Sequence, residues 1–344
     1  MEPAVALART TDDISIAWAS SGSGPALVYL PAAPFSNTAA EWSIPVLRRA
    51  FERLATRVRL IQFDARGTGR SQRDVTDLSL DAMLRDLEAV VGAAGVERYA
   101  IFGSYSAVTH AIAAAARRPD RVTRVVLFGG AARGFVPMSG PGTQALLSLI
   151  ERDWDTFVES AAHAWLGWPD PAQGRLAADW FRSATTPAIA RATFEADAAI
   201  DVTAQCADVA CPCLVIHRLD TPPIDLATAQ DLAASLPRGR LEVVPGRSAS
   251  LFFEHGEAMA DLIADFVTGV ERRRSAGPGP GADLTAREVE VLRLVAAGES
   301  NAEIAARLGV TINTVERHVV NVYRKIDARG RADATAFAIR NGLA

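Results

Sequence analysis

Six short apolar runs, separated by longer stretches that include helical repeats, constrain this chain more than any other feature. "ALVYLPA" (26–32), "VRLIQFD" (58–64), "YAIFGS" (99–104), "RVVLFGG" (124–130), "CLVIH" (213–217) and "RLEVVPG" (240–246) read as strands buried on both faces. "SLDAMLRDLEAVVGAAG" and "VTHAIAAAARRP" read as helices between them. Strands apolar on both faces need helices on both sides, so the alternation predicts an α/β domain with a mostly parallel sheet. A further helical span, about 134–200, carries Trp154, Trp165, Trp168 and Trp180.

The alternation stops at "ERRRSAGPGPGAD" (271–283), where glycine and proline alternate and no apolar period survives. That composition predicts a linker between two domains, 1–270 and 284–344. The chain is long enough for both, at 344 residues. No apolar stretch approaches the roughly 18 residues of a membrane span. The opening "MEPAVALARTTDD" is too polar and acidic for a signal peptide. The three cysteines, Cys206, Cys211 and Cys213, lack a zinc-finger spacing, so no metal or other cofactor is expected and the thiols read as reduced and cytoplasmic. Net charge is −4, with +1 on residues 283–344 and −5 on the rest. Bulk charge thus says little about nucleic acid, and pattern must carry that question.

Several motifs of the first domain appear in a fixed order. "GSGPALVYLPAAP" (22–34) is a glycine-proline lead into a strand, and "FDARGTGRS" (63–71) is a D-x-R-G-x-G-x-S turn. "FGSYSAV" (102–108) joins a strand to an alanine-rich helix, and "RRPDRVTRVVLFGG" (117–130) returns to the next strand. Together they resemble the α/β-hydrolase family over roughly residues 10–270. That resemblance implies a helical lid at about 134–200 and a nucleophile elbow of the form G-x-S-x-G at 103–107.

In this chain the elbow holds Tyr105 at the nucleophile's place and Ala107 at the last glycine's. A phenol of pKa about 10 is a poor nucleophile at neutral pH. The family's histidine follows the last strand in a Gly-His step, which here is Gly246-Arg247. A guanidinium with pKa above about 12 does not serve as a general base. The family's acid falls near Asp220. Two of the three groups needed for acyl transfer are therefore chemically wrong, which predicts a pocket that binds rather than cuts. Ala33, Ser104, Tyr105, Ser106, Trp154, Asp220 and Arg247 are the candidate ligand-binding residues. Arg247 suits a small molecule with an acidic or acceptor-rich end and an apolar body. The alternative, an active hydrolase, needs a neighbour such as Ser104 or Ser106 as nucleophile, with His110, His163, His217 or His255 as base.

The C-terminal segment shows successive helix starts. Thr285 with Glu288, and Ser300 with Glu303, have capping-box spacing, Gly298 and Gly309 mark helix ends, and Thr311 caps a third helix. On that helix Val315, Val319, Val322 and Ile326 form one apolar stripe. Asn313, Arg317, Val320, Asn321 and Arg324 fall opposite, a face suited to a DNA major groove. "LTAREVEVL", "GESNAEIAARLGV", "TVERH" and "NVYRKI" closely resemble the DNA-binding domain of LuxR-type regulators. The resemblance implies an all-α four-helix helix-turn-helix domain whose last helix, about 331–341, helps form a homodimer on a palindromic operator in double-stranded DNA. It places Glu316, Arg317 and Val320 at the bases and Thr311, Thr314, His318, Asn321, Arg324 and Lys325 near phosphates. Glu316 stands where lysine is common, and a carboxylate there can accept from a cytosine amino group. The expected whole is a cytoplasmic one-component regulator with a small-molecule effector and no membrane partner.

Overall fold

Alternate residues of the central strands pack on opposite faces, and this parity builds the first domain. The computed structural model describes residues 3–134, 140–166, 171–218, 224–246, 248–270, 284–326, 328, 330–340 and 343. Its strands are β1 (Val5–Arg9), β2 (Ser15–Ser21), β3 (Ala26–Tyr29), β4 (Arg59–Phe63), β5 (Tyr99–Ser104), β6 (Val122–Phe128), β7 (Cys213–Arg218) and β8 (Gly239–Val244). They form one sheet in the order β1-β2-β4-β3-β5-β6-β7-β8, parallel from β4 to β8. The first helices are α1 (Thr38–Ser43), α2 (Pro45–Ala55), α3 (Leu80–Ala93) and α4 (Ala107–Arg117). Val28, Ile101, Leu127 and Val215 join the cluster that contains Leu87 and Val90 of α3 and Ala111 of α4. The intervening Leu27, Phe102, Val126 and Ile216 pack on Phe51 of α2 from the opposite side.

The six strands expected from the apolar runs are all present, shifted by at most a few residues at their ends. The hairpin β1–β2 is additional and antiparallel to its neighbours. It escapes a search for apolar runs because β1 lies at the sheet edge with four of its five residues exposed.

Between β6 and β7 the chain forms α5 (Pro141–Leu147), α6 (Trp154–Leu166), α7 (Pro171–Ala184) and α8 (Pro187–Ala198). These lid helices bury their own core of Phe157, Val158, Ala161, Ala177 and Phe181, joined by Phe35 from the loop after β3. After β7, α9 (Leu226–Ser235) and α10 (Gly256–Thr268) complete the domain. The chain divides into two compact units, Met1–Val270 and Glu271–Ala344.

The second unit contains α11 (Ala286–Ala296), α12 (Asn301–Leu308), α13 (Ile312–Lys325) and α14 (Arg331–Arg340). Both capping boxes form, at Thr285–Glu288 and Ser300–Glu303. Gly309 takes φ +65° at the end of α12, a conformation glycine adopts without steric cost. Val315, Val319, Val322 and Ile326 are buried against Val291, Leu292, Ile304 and Phe337, so the apolar stripe of α13 faces the core.

Candidate functional site

The turn between β5 and α4 sets the geometry of the first site. Tyr105 sits at its tip with φ +54°, in the left-handed region that L-residues enter at a cost of about 1–2 kcal/mol. Its N–H donates to the Phe128 carbonyl at 3.0 Å, and its carbonyl accepts from Val108 N–H at 3.1 Å. The surrounding glycines permit the tightness. A Cβ on Gly103 would lie 2.4 Å from the Ala107 carbonyl oxygen, and one on Gly130 2.6 Å from that of Tyr105.

From this tip the phenol reaches across to the loop after β8, where its hydroxyl donates to the Ala249 carbonyl at 2.5 Å. Its ring meets Phe128 edge-on, with centroids 6.0 Å apart. Ser104 is buried and hydrogen-bonds Tyr29, whose hydroxyl burial holds above its ordinary pKa. Ser106 Oγ donates to the Ala33 carbonyl at 3.3 Å.

Arg218, the last residue of β7, has a side chain with 0% exposure and fixes the same loop. It donates to the carbonyls of Pro245 (3.0 Å), Leu251 (2.7 Å) and Glu254 (2.7 Å) and pairs with the Glu254 carboxylate at 3.0 Å. Burial lowers its pKa, and Glu254 opposes that shift. The sequence reading missed this clamp. Its one signal is a guanidinium ending an apolar run.

Above Tyr105 lies a cavity of about 170 Å³ beneath the lid. Ala33, Ser104, Tyr105 and Ser106 line it. Trp154 is not among the described lining residues. It stacks on Phe157, centroids 5.3 Å apart, inside the lid's own cluster. At the first position of α6 its ring packs along the helix, and Trp165, eleven residues on, lines the cavity with Trp180. Asp220, Arg247 and Trp168 lie outside the described residues.

The polar part of the wall comes largely from residues the sequence reading did not single out: Thr38, Glu41, Gln62 and Asp197. Asp64 of the FDARGTGRS turn accepts from the N–H and hydroxyl of Thr38 at 2.7 and 2.8 Å, holding the start of α1 over the sheet. Trp42 Nε1 donates to Gln62 Oε1 at 2.9 Å. Burial, with the charge of Asp64, pushes the Glu41 carboxyl up to about 8.

In the second unit α13 presents one exposed face. Thr311 caps it by accepting from Thr314 N–H at 3.3 Å. Asn313, Glu316 and Arg317 are exposed, as is Val320, which keeps 65% of its surface in solvent. Thr314, His318 and Asn321 are half-buried at its flanks. The side chain of Arg324 lies outside the described set. The Lys325 ammonium pairs at 2.8 Å with Glu288, which also accepts from Thr285, so it braces α13 against α11.

Comparison with known proteins agrees with both halves. Residues 27–262 match the alpha/beta hydrolase family, and residues 282–338 match the luxR family of bacterial regulatory proteins. RutD of a Caulobacter species, whose name proposes a carbamate hydrolase, is 26% identical over 226 residues, 63% of this chain and 83% of that protein. The transcriptional regulatory protein LiaR of Bacillus subtilis is 44% identical over 64 residues, 19% of this chain and only 30% of LiaR. Among solved structures, the esterase EaEST of Exiguobacterium antarcticum superposes with a TM-score of 0.67 at 17% identity, covering 76% of this chain and 98% of that one. An enol-lactonase of Burkholderia xenovorans gives 0.64 at 19%, covering 76% and 100%. At such identities the likeness shows the fold. The chain belongs to the alpha/beta hydrolase family and carries, C-terminal to that fold, a luxR-family helix-turn-helix domain for binding DNA.

Proposed function

We propose that this chain is a one-component transcription regulator whose hydrolase-fold domain binds a small molecule without cleaving it. The observation that carries the reading is the Tyr105 hydroxyl donating to the Ala249 carbonyl. A phenol occupies the elbow tip, its proton is committed to a backbone oxygen, and the sequence supplies arginine at 247 where a base is needed. Ala33, Ser104, Tyr105 and Ser106 form the floor of the binding cavity, and Asp220 and Arg247 are the further residues assigned to the ligand from the sequence.

The luxR-type domain binds a palindromic site in double-stranded DNA as a homodimer, with α14 contributing to the dimer contact. Glu316, Arg317 and Val320 meet base edges, and Asn313 sits beside them. Thr311, Thr314, His318, Asn321, Arg324 and Lys325 approach phosphates. The effector regulates by binding one arrangement of the two domains more tightly than another. The test is DNA affinity of the full chain with and without an extract of small molecules from the host. Affinity that never moves would leave a constitutive DNA-binding protein.

A second reading, an active hydrolase with a DNA-binding domain, is favoured by the similarity to a protein named for carbamate hydrolysis and by Ser106 facing the cavity. Ester turnover abolished by Ser106→Ala or by Tyr105→Phe would establish it.

A further inference from the structure

The cavity over Tyr105 has a wall made mostly of aromatic and aliphatic side chains, and its described lining contains no lysine, arginine or histidine. It does contain two carboxyl groups, Glu41 of α1 and Asp197 of α8. Asp197 is 4% exposed, and among the described residues neither of its oxygens accepts a hydrogen bond. His110 Nε2 stands 3.4 Å from its Oδ1 without hydrogen-bonding geometry, at ion-pair distance when the imidazole is protonated. A buried carboxylate is stable when a cation or several donors face it, and costly otherwise. An anionic ligand would add another negative charge to a space of low dielectric, where like charges repel strongly. The rings of Phe35, Trp165 and Phe181, of which Phe35 and Phe181 stack at 4.1 Å, offer electron-rich faces that also favour a cation.

Size narrows the ligand further. An apolar protein cavity of about 150 Å³ holds a benzene molecule. The present cavity of about 170 Å³ therefore accommodates one ring with a short tail.

We propose that the pocket selects a small primary amine with an aromatic body, its ammonium held by Asp197. The assignment rests on reading this domain as a ligand-binding one, and it reverses the sign of ligand charge that Arg247 alone implies. The Glu41 carboxyl, pushed up to about 8 by burial and the charge of Asp64, is mostly neutral at neutral pH, so the charge offered to the ligand is that of Asp197.

The test is calorimetry of the full chain at neutral pH with 2-phenylethylamine, 2-phenylethanol and 3-phenylpropanoate, which share a ring and differ in charge. The amine is expected to bind, with the alcohol and the carboxylate at least about tenfold weaker. Asp197→Asn should remove the preference, so that amine and alcohol bind alike. The wild-type ranking decides without that variant. A carboxylate or alcohol that binds as tightly as the amine, or an amine that does not bind, overturns the proposal. Amine binding that leaves affinity for DNA selected in vitro unchanged would uphold the pocket assignment and remove the sensor reading. Carboxylate binding that shifts DNA affinity would do the reverse.

Discussion

The hydroxyl of Tyr105 and the carbonyl oxygen of Ala249 lie 2.5 Å apart, joining the strand–helix turn at the sheet centre to the loop after its last strand. In this position the phenol ties together two segments that a working hydrolase uses for a nucleophile and its base. Tyr105→Phe keeps the ring against Phe128 but strands the Ala249 carbonyl. Chemical denaturation should show a loss of about 1–3 kcal/mol, and hydrolysis of a generic ester should stay at the uncatalysed level, as in the unchanged chain.

Restoring a hydroxymethyl group at the elbow should not restore catalysis. Tyr105→Ser places the usual nucleophile at a tip that already has φ +54°, yet position 247 remains arginine. Without a base to take the serine proton, p-nitrophenyl acetate cleavage should remain at background. Turnover well above background in this variant would show that another group supplies the base.

Gly103→Ala tests how tightly the elbow is packed. The new Cβ would fall 2.4 Å from a backbone oxygen of α4, which moves only if the helix moves. Overpacking of this kind costs about 1–3 kcal/mol or more, and the melting curve should shift down accordingly.

Arg218→Met removes a guanidinium that serves three carbonyls and one carboxylate in the 245–254 segment. Breaking a buried pair in this way costs about 3–5 kcal/mol, because Glu254 and the carbonyls lose their donor together. Hydrogen exchange should rise in that segment before it rises in the central strands.

Acid should weaken the helix-turn-helix domain through Glu288. Its carboxyl is held down to about 2, from an ordinary value near 4.5, chiefly by the Lys325 hydrogen bond and also by the Thr285 donors. A depressed folded-state pKa gives stability that is complete above about 4.5 and is lost as pH falls toward 2. Thermal melts across that window should show the loss, and Lys325→Met should flatten it. On DNA, Arg317→Ala is expected to lose about 1–3 kcal/mol at the specific site, measured by titration against a selected operator.

Local pattern was enough to place the six central strands, the elbow at Tyr105, both capping boxes and the buried stripe of α13. Each depends on residues close in sequence: period-2 burial, a glycine beside a tight turn, a hydroxyl three residues before a carboxylate, valines at helical spacing. The edge hairpin, the Arg218 clamp, the inward-facing Glu41 and Asp197, and the Lys325–Glu288 pair were decided only by tertiary structure. In those cases the partners are far apart in the chain. A charged side chain looks the same in sequence whether it meets water, a carbonyl of a distant loop or the wall of a cavity, and only packing removes the water that would otherwise make those surroundings alike.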